Sequence, residues 1–180
     1  MKKINFLSTL LLLSIISTSL LASCKKDDVA DDDNNNNNNT QAPTENTLSA
    51  NVDGVGWIAD VATINGVYVS TAGIISIIIN GEKPDGSYFT LSLNLWNDQT
   101  GTFNTSVMAT SNYVGLTYED ASGESFTAPV NGNAAATGTL KIDYWDDNKI
   151  SGSFSFTGGQ SGSAETVTIT DGVFSCINVQ

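Results

Sequence analysis

The sequence predicts an all-β fold, an antiparallel β-sandwich or barrel-like sandwich, behind a signal peptide and a disordered linker. Three observations carry that expectation. After Thr47, apolar and polar residues alternate with period two in several runs. Turn chemistry, with six Asx–Gly dipeptides among it, punctuates those runs, the mark of short strands and tight turns. No stretch after Leu21 carries an apolar i, i+3, i+4 stripe over three turns, and the region Met108 to Ser111 has room for a single short helical turn at most.

The N-terminal element is a signal peptide over 1–23. Lys2 and Lys3 form a positive start, Ile4 to Leu21 is mostly apolar, and Leu21-Ala22-Ser23-Cys24 ends the run on two small residues before a cysteine. An apolar run of this length is also long enough to span a bilayer. The position of the cysteine at its end favours cleavage and lipid attachment at Cys24. A thioether-linked diacylglyceryl group with an acylated amine would give a permanent membrane anchor, at about 0.8 kcal/mol per buried methylene.

The second element, 24–46, is an Asp/Asn-rich tether: Asp31 to Asp33, six Asn from Asn34 to Asn39, then Thr40 to Asn46 with Pro43 inside. It offers no apolar surface to offset the entropy of ordering, so the sequence predicts disorder. A flexible coil of this length spans about 25 Å on average.

The third element, 47–180, is the globular domain. Phe89, Leu91, Leu93 and Leu95 alternate with Tyr88, Thr90, Ser92, Asn94 and Trp96. The same pattern holds for Leu140, Ile142 and Tyr144, for Gly152, Phe154 and Phe156, and for Val167 and Ile169. Each run reads as a half-buried strand. Ile74 to Ile79 is more uniformly apolar and is expected in mid-sheet, covered on both sides. Asp53-Gly54, Asn65-Gly66, Asn80-Gly81, Asp85-Gly86, Asn131-Gly132 and Asp171-Gly172 read as turns, since these residues tolerate positive φ. Asp146-Asp147-Asn148 joins two alternating runs, so 139–157 is the hairpin most plainly written.

Two segments resemble the ends of a known family. Asn51-Val52-Asp53-Gly54-Val55-Gly56-Trp57 is similar to the strand, Asp-Gly turn and Trp that open a group of uncharacterised small surface lipoproteins of the Bacteroidota. Ile150-Ser151-Gly152-Ser153-Phe154-Ser155-Phe156-Thr157, with Val167-Thr168-Ile169-Thr170-Asp171-Gly172-Val173-Phe174, is similar to their closing hairpin, and Gly101-Thr102-Phe103 also fits. The resemblance implies an all-β domain of unknown function. Lys25-Lys26-Asp27-Asp28 looks like the export signal that sends lipoproteins of these bacteria to the outer face of the outer membrane. Lipid attachment alone does not choose the leaflet.

Composition narrows the chemistry. The chain has no His, and its seven basic residues are all Lys. Within 47–180, three Lys (83, 141 and 149) face thirteen acids, a formal charge of −10. Nucleic acid is therefore not expected as a partner, because phosphate binding needs a basic patch. Histidine-based triads and zinc sites lack their parts. Cys176 has no histidine to activate it and reads as a small buried hydrophobe. Carboxylate chemistry could draw on Glu119, Asp120, Glu124, Asp143, Asp146 and Asp147, but these sit in or beside turns, where acids ordinarily serve local hydrogen bonding. Asp143, Asp146, Asp147 and Asn148 also bunch the oxygens calcium prefers, although Asp-Asp-Asn is what a tight turn wants by itself. No metal, cofactor or catalytic residue is assigned.

The aromatic residues supply the remaining candidates. Strict alternation puts Trp96 and Trp145 on polar faces at strand ends, with Leu95 and Tyr144 toward the core. Exposed indoles stack on sugar rings or anchor protein contacts. Trp57 could join such a platform or cap the core, and the family resemblance favours the cap. The expected function is a lipid-anchored, non-catalytic module at the cell surface that binds a glycan or a protein. The alternatives are an accessory subunit of an envelope assembly and a carboxylate-dependent glycoside hydrolase.

Overall fold

A computed structural model describes residues 46–72, 74–94, 96–106, 112–146 and 148–180, apart from the side chain of Cys176. The expectations for the signal peptide, for Cys24, for the tether up to residue 45, for Met108 to Ser111, for Leu95, for Asp147 and for the Cys176 thiol fall outside the described residues.

The all-β expectation holds. The described residues form β1 (Thr47–Val52), β2 (Val55–Ile58), β3 (Asn65–Thr71), β4 (Ile74–Glu82), β5 (Tyr88–Asn94), β6 (Gly101–Asn104), β7 (Tyr113–Glu119), β8 (Ser125–Ala128), β9 (Gly138–Trp145), β10 (Lys149–Gly159) and β11 (Thr166–Asn178). They make one antiparallel sheet in the order β2-β1-β11-β10-β8-β7-β5-β4-β3, curled into a half-barrel. The long β10 gives one edge to β11 and divides the other: Ile150 to Phe156 pair with β9, which carries β6, while Gly159 meets Thr127 of β8. Past its end, β11 returns to β3, where Tyr68 donates its amide to the Gln180 carbonyl (3.0 Å) and Gln180 donates to Gly66 (3.2 Å).

Turn chemistry accounts for the first hairpin. Asp53 (φ 47°) and Gly54 (φ 80°) form the two-residue, doubly positive-φ link that matches strand twist between β1 and β2. The Asp53 carboxylate also accepts the Thr168 amide at 2.8 Å, tying this turn to β11. Asp85 turns β4 into β5: it accepts the Ser87 hydroxyl at 2.6 Å and amide at 2.9 Å, and pairs with Lys83 at 3.0 Å. The Ser87 hydrogen bonds, with Lys83 beside them, hold the Asp85 carboxyl at about 2.

Three of the Asx–Gly pairs are not turns. Asn65-Gly66 and Asn80-Gly81 lie inside β3 and β4, and Asp171-Gly172 lies inside β11. Their glycines answer to packing. A Cβ on Gly66 would sit 2.9 Å from the Asn178 carbonyl, and one on Gly81 would sit 2.7 Å from Leu48. Asp171 has φ 52° and marks a bulge, because the β10–β11 register shifts between Phe154 and Phe156.

The inner face follows the alternation. Phe89, Leu91, Leu93, Leu140, Ile142, Phe154, Phe156, Val167 and Ile169 are all buried. Phe89 sits among Trp57, Tyr118, Phe154 and Phe156, with ring centroids 4.6–6.2 Å away, edge-on or tilted as aromatic quadrupoles prefer. The expectation for Ile74 to Ile79 holds for position, since β4 is paired on both sides by β3 and β5, and fails for cover on both faces. β4 is next to the last strand on its side; Ile77 and Ile79 are buried, while Ile74 stands half exposed at 51 %.

Among the described residues, the buried Ser175 hydroxyl has no hydrogen-bond partner. A desolvated, unmatched hydroxyl costs on the order of 1–3 kcal/mol. Ser175→Ala is therefore expected to raise stability by about 1 kcal/mol, read as a higher urea midpoint at unchanged slope. A lower midpoint would contradict it.

Candidate functional site

Trp96 and Trp145 are not where strict alternation puts them. β9 carries a bulge: Ser151 faces Tyr144, but the next residue, Gly152, faces Ile142, leaving Asp143 unmatched. One extra residue inverts every side chain beyond it. Tyr144 consequently points outward (39 % exposed), and Trp145 packs against the core. Trp96 follows β5 and is buried, donating its indole N–H to the Gln99 carbonyl at 2.8 Å. It meets Trp145 edge-on at 4.9 Å, and Trp145 stacks on Tyr68 at 5.3 Å. Trp57 is buried as well, its N–H donating to Ser87 Oγ at 2.9 Å. The expected exposed platform of Trp96, Trp145 and Trp57 is thus corrected. Trp96 and Trp145 brace β9 against β3, and Trp57 lies in the core.

Among the described residues, the acids considered for carboxylate or calcium chemistry are engaged locally. Asp143 pairs with Lys141 at 2.6 Å. Asp146 accepts the amides of Asn148 and Lys149 at 2.8 and 2.7 Å and the Tyr144 hydroxyl at 2.5 Å. Glu119 accepts from Tyr88 at 2.8 Å, and that bond raises the pKa of the Tyr88 phenol. Asp120 accepts the Ser122 hydroxyl at 2.7 Å and the amides of Glu124 and Ser122, bonds that lower its own pKa, and Glu124 accepts from Gln160. Among the described residues, no three His, Cys, Asp or Glu side chains gather as a metal cage.

What the fold does assemble is a groove of about 530 Å³ on the outer face, across β6, β9, β10 and β11. Its construction follows from register. Thr102 of β6 faces Lys141 of β9, Lys141 faces Ser153 of β10, and Ser153 faces Val173 of β11. A parallel row places Thr139 opposite Ser155. The bulge at Asp171 closes one side of the groove. Gly172 is obligatory there, since a Cβ would lie 2.5 Å from the Phe154 carbonyl. The groove therefore presents the hydroxyls of Thr102, Thr139, Ser153, Ser155 and Thr170 beside apolar Val173 and Phe154, with few charges. Its Lys141 is neutralised by Asp143, and Asp171 accepts from Asn51 at 2.9 Å and Thr170 at 3.1 Å. Hydroxyls both donate and accept, so such a lining suits a ligand rich in the same group. Each strand's outward residues can be read from alternation, but their convergence depends on β6 lying beside β9, which no local pattern encodes.

This architecture defines an all-β half-barrel domain with an external groove lined by hydroxyls and apolar groups together. Residues 44–178 match the model of a family described as "Domain of unknown function (DUF6252)", and the chain belongs to that family. No curated protein and no solved structure matches it.

Proposed function

We propose that the chain is a lipoprotein anchored through Cys24 to the outer membrane, facing the cell surface as in the Bacteroidota lipoproteins it resembles, and that its domain binds a neutral glycan without catalysis. The groove is the observation that carries the binding reading. Four adjacent strands at about 4.8 Å spacing set its hydroxyl rows across about 14 Å, the length of a short oligosaccharide. Its charged groups already have partners, so a neutral polyol can displace water there without stranding a charge. The body's formal charge of −10 disfavours a polyanionic ligand.

The test is a glycan array probed with the full chain, alongside Ser153→Phe. Ser153 is only partly exposed at the groove floor, and a phenyl ring there occupies the groove without entering the core. The expected result is retention of a neutral glycan, lost at least tenfold in the variant while its melting temperature stays unchanged. Equal binding by both proteins, or no retained glycan, overturns the groove reading. Separately, Cys24→Ser is expected to move the protein from the membrane fraction to the soluble one; an unchanged membrane fraction overturns the anchor.

A further inference from the structure

The edge of the sheet at β2 is built differently from the edge at β3. The Ala59 amide bonds to the Leu48 carbonyl at 3.0 Å, which fixes the parity of the β1–β2 ladder. Ala50↔Trp57 and Val52↔Val55 are then the pairs that exchange hydrogen bonds, and the amides and carbonyls of Gly56 and Ile58 point away from β1. Where the C-terminal tail covers part of β3, no strand among the described residues covers β2. Around this edge stand the three most exposed large apolar side chains among the described residues, Val55 (70 %), Ile58 (68 %) and Val61 (60 %). Open edges in monomeric proteins usually carry a Lys, a Pro or an inward charge as protection. Val55 to Ala59 carries none.

Gly56 adds a second, independent observation. A glycine inside a strand weakens it and usually has a local reason. Here there is none: φ lies outside the left-handed region, and an added Cβ would meet only Asn51 Oδ1, at 4.0 Å. The bare position leaves room on that face of β2 for a large side chain brought by a neighbouring strand.

We propose that β2 pairs edge to edge with β2 of a second copy of this chain, antiparallel, about a two-fold axis at Trp57. The edge is self-complementary in that register. Gly56 of one copy exchanges both its hydrogen bonds with Ile58 of the other, so the outward amides and carbonyls of both strands are satisfied reciprocally, as an isologous contact requires. Each Ile58 side chain lies over the bare Gly56 of its neighbour. The flanking acids Asp53 and Asp60 fall opposite Val61 and Gly54 rather than opposite each other, so the contact creates no like-charge pair. Two bodies of charge −10 repel at long range, so the pairing strengthens as salt screens them. The inference stands independently of the glycan reading, since none of the groove residues lies on β2.

Sedimentation of the full chain in detergent, over a range of concentration and salt, tests it. The wild type is expected to show a two-chain species whose fraction rises with salt. Ile58→Lys, at a position 68 % exposed, is expected to sediment as one chain with an unchanged melting temperature and wild-type glycan retention. The double variant Gly56→Cys/Ile58→Cys gives a second readout, because paired Cα atoms about 5.5 Å apart fall within disulfide reach; oxidation is expected to produce a covalent dimer with a 56–58 linkage. A wild type that stays a single chain at every concentration overturns the proposal. So does a two-chain species unchanged by Ile58→Lys, or a position-58 crosslink to a different protein.

Discussion

Trp96→Ala is expected to cost the domain about 3–5 kcal/mol, the range for emptying a fully buried aromatic site. Trp96 is 2 % exposed, its N–H is bonded to Gln99, and its ring meets Trp145 edge-on at 4.9 Å. Trp145→Ala is expected to follow in the same direction with a smaller loss, since that ring is only partly buried. The structural role here is specific. Tyr68 lies on β3 and Trp145 on β9, strands that share no ladder, so the stacked rings add a direct side-chain contact between parts of the curled sheet that are otherwise linked through the backbone bonds of Val179 and Gln180. Urea unfolding of both variants measures the effect, and near-UV circular dichroism follows loss of the coupled indoles. Variants that unfold within about 0.5 kcal/mol of wild type, the range of ordinary surface substitutions, would show that these rings brace nothing.

The second large effect is expected at Gly152. An added Cβ would lie 1.9 Å from the Lys141 carbonyl oxygen and 2.6 Å from Phe174. Lys141 cannot retreat, because β9 is held by β10 on one side and β6 on the other. Phe174 is fully buried and has no space to turn into. Gly152→Ala is therefore expected to destabilise by about 3 kcal/mol or more, the upper end for overpacking a close-packed site. The contrast is Gly56→Ala, where the methyl group has room. It is expected to be neutral or to stabilise by up to about 1 kcal/mol through the unfolded chain. Thermal or urea melts of the pair separate the two, and equal losses at both positions would refute the packing argument.

The fold class and the 139–157 hairpin were legible because period-two alternation is a local property, and because Asp53-Gly54 and Asp85-Gly86 carry turn chemistry in adjacent residues. β7 is a strand that the runs named from the sequence did not include, although Val114, Leu116 and Tyr118 are buried and alternate with Gly115 and Thr117. The aromatic placement was not legible. It depends on one unmatched residue, Asp143, and no residue type obliges a bulge at that position. Asn65-Gly66 and Asn80-Gly81 misled for a related reason: a glycine chosen for close approach has the same letter as one chosen for a turn. The groove is the least legible feature. Thr102, Ser153 and Thr170 are ordinary outward strand residues, and only the order β6-β9-β10-β11 brings them to one surface.

The pairing of β1 with β11 also sets an order in time. Thr47 meets Ser175, and Val52 meets Ile169, across about 120 residues, whereas most other neighbours are hairpin partners. A chain emerging N-terminus first holds the β1–β2 hairpin with one side of β1 unpaired until residues 166–178 have followed. β10 waits on the same segment for its fullest ladder. The domain therefore closes late and cooperatively: its first strand finds its place only when its last is present, and a chain stopped short of β11 leaves apolar strand edges open to other chains.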